Sequence, residues 1–120
     1  MTRTEFIVYK GFRILDLDLR GSKDINQNIA AFQLAQKLAM KEPLKSLRLL
    51  TDVTDAHYTA EGVSVMKDFS KATTPYMKAS AAVGVTGIKK IIVQSLMKLA
   101  GRDIRLFDTR EQALEWLVDQ

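Results

Sequence analysis

The feature that most constrains the fold is the order in which β-rich runs and helical runs follow one another along the chain. Two β-rich runs, residues 6–9 and 12–19, come first, and Lys10-Gly11 between them predicts a hairpin with glycine at the turn. After the hairpin, runs with a helical spacing of apolar residues alternate with short apolar runs. This ββαβαβαβα order predicts one α/β domain over residues 1–120, with a mainly parallel five-stranded sheet, right-handed crossovers and four main helices.

Apolar spacing, together with residues that start and stop helices, places the elements. We expect helices at about residues 24–40, 59–74, 86–100 and 109–118, and further strands at residues 47–53, 80–85 and 104–107. Asp24, Thr59 and Thr109 are the predicted N-caps, because each offers a side-chain oxygen just before a helical run. In the second strand three leucines share one face and two aspartates the other, so we expect that one face is buried.

Composition excludes several classes of function. The chain has 120 residues and no cysteine, which rules out disulfides, thiol catalysis and Cys-ligated metal centres. There is no run of 18 uninterrupted apolar residues and no long apolar run at the amino terminus, so we expect no membrane span, no signal peptide and a cytoplasmic location. Fingerprints of serine hydrolases and of common nucleotide-binding folds are also missing from the sequence.

The net charge of +4 does not arise from a basic arm or an acidic tail. The acids are nevertheless unevenly placed, because none occurs between Asp68 and Asp103, and this stretch forms one basic region. Such a region raises the local concentration of an anionic ligand, a membrane surface or an acidic partner, or it is simply a solvated helix face. Nucleic-acid binding is not expected, since Tyr76 is the one aromatic residue interleaved with these charges.

Four segments carry a family resemblance that spans most of the chain. They are residues Leu49–Val53, Thr59–Gly62, Lys78–Val85 and Leu106–Leu117, the last with the pattern Thr-x-x-x-Ala-Leu-x-Trp-Leu after a strand that ends in Leu-Phe. In these segments the chain resembles the SpoIIAA-like (STAS/SEC14-like) branch of the STAS superfamily. The resemblance implies a STAS-like fold and a regulatory or binding role, in a group whose members mostly have no assigned activity.

Anti-sigma-factor antagonists of the wider STAS family carry an Asp-Ser-Ser-Gly motif, with a phosphorylated serine, in the loop after the third strand. The corresponding residues here are 58–62, in which Gly62 matches but Ala60 and Glu61 stand where the serines would be. The resemblance therefore implies no phosphoserine switch at this place. Thr59 is the only nearby hydroxyl and has an N-cap role, while Glu61 either mimics a fixed phosphate charge or serves the helix dipole.

Asp52, Asp55 and His57 follow a buried strand and form the first candidate site. Ligands of open α/β sheets bind at the carboxyl ends of the strands, and carboxylates with an imidazole can hold a divalent metal or act as an acid and base. The alternative is structural, because loop aspartates commonly make turns and caps. We expect the structural role, with no bound metal, no cofactor and no catalysis.

The second candidate site lies where the fourth strand leads into the third helix, at Thr86, Gly87, Ile88, Lys89 and Lys90. Free N–H groups at the start of a helix, with two lysines one turn in, can hold a phosphate or a carboxylate. The alternative is an ordinary strand-to-helix turn with Thr86 as the cap.

The third helix has an apolar face wider than one packed stripe. Ile88, Ile91, Ile92, Ser95, Leu96 and Leu99 are assigned to the core stripe, and Val93, Met97 and Ala100 are the surplus. The surplus predicts a homodimer interface, unless it covers a cavity or both faces are buried within one chain. The predicted function is a noncatalytic regulatory module that binds a protein partner or itself. Alternatively, the protein binds a small anionic amphiphile (a lipid or a phosphorylated compound), and an enzyme that uses Asp52, Asp55 and His57 comes third.

Overall fold

A hairpin of strand β1 (Arg3–Tyr9) and strand β2 (Phe12–Asp18) forms one edge of the sheet in the computed structural model, which describes residues 2–120. Lys10 and Gly11 turn the chain with φ angles of 48° and 84°. Two consecutive positive φ angles are typical of the tight two-residue turn whose twist matches that of the flanking strands. The predicted hairpin and its glycine turn are therefore confirmed.

The remaining elements alternate between helix and strand in the predicted order. They are helix α1 (Ile25–Ala39), strand β3 (Leu47–Asp52), helix α2 (Ala60–Thr73), strand β4 (Met77–Val83), helix α3 (Ile88–Ala100), strand β5 (Arg105–Phe107) and helix α4 (Arg110–Val118), with a short 3₁₀ turn at Thr74–Tyr76. The sheet has the order β1-β2-β3-β4-β5, and β2 to β5 are parallel neighbours. This confirms the predicted α/β fold with a mainly parallel five-stranded sheet.

The predicted starts of the helices agree with the structure where an N-cap residue marks them. Asp24, Thr59 and Thr109 are the N-caps of α1, α2 and α4, and each side chain accepts a hydrogen bond from the backbone N–H three residues later. Strand β4 begins three residues earlier than expected, because the 3₁₀ turn that contains Pro75 leads directly into it. It ends at Val83, because Gly84 has a φ of +78°.

Helices α1 and α2 cover one face of the sheet. Leu15, Leu17 and Leu49 are buried there beneath Phe32 of α1 and Phe69 of α2. The two phenylalanine rings meet edge to face, with centroids 5.4 Å apart. This core fixes the positions of the strands whose carboxyl ends lead into the two candidate sites, in the loop after β3 and at the start of α3.

Helix α4 covers the opposite face. Ala113 and Leu117 pack on Ile14, Leu50 and the small residues of β4. As a result β2 is buried on both faces, and the expectation of a single buried face is wrong. The aspartates on its second face, Asp16 and Asp18, are buried with it. None of the helices within residues 2–120 is both long and apolar enough to cross a bilayer.

Candidate functional site

Helix α3 buries fewer of its residues than the other helices do. Leu96 is its only buried residue, and the helix packs mainly against α2 rather than against a strand. The sheet surface that it faces is formed by small side chains of β4, among them Ser80 and Ala82. Because neither side fills the intervening space, cavities are left between α3 and the sheet.

The first cavity lies near the start of α3 and has a volume of about 60 Å³. Apolar side chains from α1, α2, α3 and the loop after β3 make up most of its walls: Leu19, Ile25, Ile29, Phe32, Val53, Ala56, Met66, Ile92 and Val93. Its polar groups belong to Asn28, His57, Tyr58, Thr59 and Lys89. The walls therefore suit an apolar molecule with a few hydrogen-bonding atoms.

Asn28 contributes an unpaired acceptor to the wall of this cavity. Its amide nitrogen donates to the backbone oxygens of His57, at 3.0 Å, and Ser22, at 3.4 Å, which fixes the orientation of the amide. Within residues 2–120 its Oδ1 atom is buried and has no hydrogen-bond partner. A buried acceptor without a partner is costly.

The second cavity adjoins the first and also has a volume of about 60 Å³. Both cavities are lined by Phe32, Val53, Met66 and Val93, so they lie next to each other under α3. The far wall of the second cavity contains Arg102. In volume, each cavity corresponds to roughly four to six water-sized groups.

Arg102 is a buried cation that is held by neutral groups. Its Nε and Nη2 atoms donate to Ser80 Oγ at 3.2 and 2.9 Å, and Nη1 donates to Thr73 Oγ1 at 2.9 Å. The guanidinium also lies over the Phe69 ring, 5.6 Å from its centroid. Burial lowers the pKa of Arg102 to about 10, so the group remains charged at neutral pH.

The predicted anion site at the start of α3 is only partly assembled. Gly87 is the N-cap and makes no side-chain cap hydrogen bond, so the expectation that Thr86 caps the helix is wrong. The backbone N–H groups of Lys89 and Lys90 already donate to the backbone oxygens of Thr86 and Gly87. Ile88 is exposed, as are Thr86 and Gly87.

The two lysines of this segment are divided between different environments. Lys89 turns inward, and its Nζ atom donates to the backbone oxygen of Val53 at 2.8 Å, at the end of β3. Burial lowers the pKa of Lys89, and the nearby Asp55 carboxylate opposes the decrease. Lys90 is exposed to solvent. The segment therefore does not present two lysines to one anion.

Two of the three surplus apolar residues of α3, Val93 and Met97, contact the interior of the protein. Val93 lines both cavities, Met97 Sδ accepts a hydrogen bond from the Ile104 N–H at 3.2 Å, and Ala100 is half-buried. The exposed apolar residues are instead Ile88, Ile91 and Leu99, at 58%, 63% and 50% exposure. The predicted assignment of the two faces is wrong for these residues, because an apolar surface that continues around a helix does not define which side meets the sheet.

The aspartates and histidine of the loop after β3 do not form one site. Asp52 is buried on the α4 side of the sheet, whereas Asp55 and His57 are exposed on the loop. Their backbone groups hold the loop, since the oxygen of Asp55 accepts from Lys23 and the N–H of His57 donates to Ser22. No group of three metal-ligating side chains occurs in the part of the chain that the structure describes.

The other two residues of this region lie at the start of α2. Thr59 Oγ1 accepts from the Gly62 N–H at 3.1 Å and is thereby engaged in capping the helix. Glu61 is exposed in the first turn, where a negative charge is favourable. Thr59 also lies in the wall of the first cavity.

A buried cluster of charges lies on the α4 side of the sheet, and the sequence patterns do not predict it. The carboxylates of Asp16, Asp18 and Asp52 meet the guanidinium groups of Arg3, Arg20 and Arg110 there. Parallel register places the second-face residues of β2 beside Asp52 of β3. The one signal for the cluster in the sequence is the spacing of two between Asp16 and Asp18, which puts both on the same face of a strand.

Arg110, at the start of α4, is the centre of this cluster. Its Nη2 atom lies 2.6 Å from Asp16 Oδ2, and its Nη1 atom lies 3.3 Å from Asp52 Oδ2. Burial by itself raises the pKa of Asp18, but hydrogen bonds from Arg20 outweigh it and hold that pKa below its usual value. Three carboxylates thus face three guanidinium groups, which suits a structural link between α4 and the sheet.

No model of a known protein family matches the chain, and no curated protein matches it either.

Proposed function

We propose that this protein is a noncatalytic binding module of the STAS type, located in the cytoplasm, that takes up a small amphiphile beneath helix α3. The observation that carries the proposal is the pair of adjoining apolar cavities between α3 and the sheet. Support for the family part comes from the quoted sequence segments, together with a β-hairpin followed by βα units.

The chemistry of the cavity walls favours binding of an apolar body with a polar end. Leu19, Phe32, Met66 and Val93 offer contacts to a chain or a ring, and methionine adapts its shape to different ligands. The polar atoms in the walls are few, and a small number of directed polar groups in an apolar pocket is typical of ligand sites.

The loose packing of α3 favours entry of a ligand from its amino-terminal end. Its N-cap is Gly87, which has a positive φ of 58°, so the helix has no side-chain cap. An element with little buried surface opens at lower free-energy cost than a core element. Displacement of α3 therefore offers a route to both cavities.

The proposal is tested by filling the cavities from α3. In Val93→Phe the larger ring extends into the cavities that residue 93 lines, while Gln94→Phe places the same ring on the exposed side of the helix. Isothermal titration with decanoate should show affinity at least tenfold lower for Val93→Phe and within twofold of wild type for Gln94→Phe. Equal affinities in all three proteins, or binding of neither decanoate nor decan-1-ol by wild type, would overturn the proposal.

Self-association through α3 is the second candidate function. Ile88, Ile91 and Leu99 recur at helical spacing, and each is at least half exposed. These residues lie on one face of the helix, interrupted by the exposed Ser95, and exposed apolar side chains on one face are suited to contact with a second copy of the chain. If this face mediates a dimer, Ile91→Glu should yield monomers in sedimentation velocity runs, whereas Leu34→Glu, the same change at an exposed leucine of α1, should not. A wild-type protein that stays monomeric at high concentration would end this candidate.

A further inference from the structure

We propose that Arg102 anchors the carboxylate of a medium-chain monocarboxylate whose apolar chain lies in the two cavities beneath α3. This inference rests on the proposed function, because it assigns the head group and the orientation of the amphiphile. The carboxylate then lies at the far wall of the second cavity, and the chain extends through the first cavity towards the loop after β3. This orientation is opposite to one in which the lysines at the start of α3 hold the head group.

Within residues 2–120 the buried positive charge of Arg102 has no negative partner. Arg102 is only 7% exposed, and no carboxylate of residues 2–120 lies within ion-pair distance of it. Its partners, Ser80 and Thr73, are neutral hydroxyls. Arginine is almost never buried without an anionic partner, since removal of a charge from water is costly. A bound anion would provide the missing charge.

Arg102 has N–H donors that remain available to a ligand. A guanidinium has five N–H groups, and three of those of Arg102 are used by Ser80 and Thr73. The two that remain are distributed one to each terminal nitrogen. A carboxylate has two oxygens and accepts two such donors in a bidentate contact.

The single charge of Arg102 also restricts the charge of the ligand. A carboxylate carries one negative charge, which matches the single charge of Arg102, while a phosphate monoester carries nearly two at neutral pH. The apolar residues around Arg102, among them Leu96, Val85 and Ile104, offer nothing to balance a second charge. A monoanion is therefore favoured over a dianion.

The size of the ligand follows from the cavities. Counted as water-sized groups, two adjoining cavities of about 60 Å³ each have room for roughly ten groups, which covers most of the twelve non-hydrogen atoms of decanoate. Small side chains at Ser80 and Ala82 keep the space beside Arg102 open. Decanoate is accordingly the probe, and decan-1-ol, with the same chain length and no charge, is its neutral counterpart.

The test compares both probes on wild type and on matched variants by isothermal titration. Wild type should bind decanoate at least tenfold more tightly than decan-1-ol. Arg102→Met should lower the affinity for decanoate at least tenfold and leave that for decan-1-ol within threefold. Lys90→Met removes one exposed positive charge and should change neither affinity by more than twofold. Loss of decanoate binding in Lys90→Met, with retention in Arg102→Met, would overturn the assignment.

A measurement on wild type covers the case in which Arg102→Met does not fold. The Nε–Hε resonance of Arg102, assigned by NMR, should shift on addition of decanoate and remain in place on addition of decan-1-ol. An unchanged resonance in the presence of bound decanoate would refute the role of Arg102 while the proposed binding function stands. If neither probe binds wild type, the binding function itself fails.

Discussion

Replacement of Arg110 by methionine should destabilise the fold strongly, because Arg110 neutralises two buried carboxylates. Asp16 and Asp52 have side chains that are 0% and 1% exposed, and the guanidinium between them is 20% exposed. Removal of one partner from a buried ion pair costs ~3–5 kcal/mol, since the other charge is left without compensation. Arg3, at 3.3 Å from Asp16, and Arg20, at 3.6 Å from Asp52, still supply part of the positive charge.

We therefore expect the lower end of that range, ~3 kcal/mol, for Arg110→Met. With an unfolding entropy of ~2.1 cal/mol/K per residue, the chain should lose about 12 °C in Tm. Urea denaturation and calorimetry at pH 7 measure both quantities. Arg13→Met is the matched control, because Arg13 pairs with Glu42 at the surface and should lose less than ~1 kcal/mol. Equal losses in the two variants would refute the assignment of Arg110 as the buried link.

Two further predictions concern the backbone and the pH dependence of stability. Gly84→Ala should destabilise the protein by at least ~2 kcal/mol more than Gly11→Ala in urea denaturation, a loss attributable to strain. The reason is that an added Cβ at residue 84 would lie 2.5 Å from the backbone of Thr54, while one at residue 11 meets nothing within 4 Å. Equal losses in the two variants would contradict this prediction. Although burial opposes it, hydrogen bonding to Arg20 lowers the pKa of Asp18, so the folded-state pKa lies below the unfolded one. The Asp18 carboxylate therefore contributes to the free energy of unfolding above about pH 4, and this contribution is lost as the pH falls through the folded-state pKa. The stability lost in Arg20→Gln should accordingly be smaller at pH 3 than at pH 6, and a loss independent of pH would refute the sign.

Local signals explain how much of the fold can be predicted from the sequence. The turn at Lys10-Gly11 and the caps at Asp24, Thr59 and Thr109 depend on neighbouring residues only, and the structure contains all of them. The alternation of strands and helices also depends on local periodicity, and it restricts the sheet to a few arrangements. The order of elements therefore follows from the amino-acid sequence alone.

The direction in which α3 faces cannot be predicted in the same way. Apolar residues continue around much of this helix, so periodicity leaves its rotation undetermined. The rotation is set by the space above Ser80 and Ala82 and by contacts with α2. For this reason the sequence pattern assigns Val93 and Met97 to an interface, whereas they lie on the side that faces the cavities.

The environments of Arg110 and Arg102 cannot be predicted from the sequence for a different reason, because their partners come from distant parts of the chain. Asp16 and Arg110 are 94 positions apart in the chain, and nothing in either local sequence identifies the other as its partner. In the sequence, Arg102 is only one charge of a basic region. Its burial depends on Ser80 and Thr73, which α2 and β4 bring together.

The location of the ligand beneath α3 is the central claim, and intermolecular NOEs between decanoate and methyl-labelled wild-type protein measure it directly. Cross-peaks from the chain protons of decanoate to the methyl groups of Ala82, Val93 and Leu96 are the predicted result, because these side chains line the cavities. Cross-peaks confined to the methyl groups of Ile88 and Ile91, on the exposed side of α3, would contradict it.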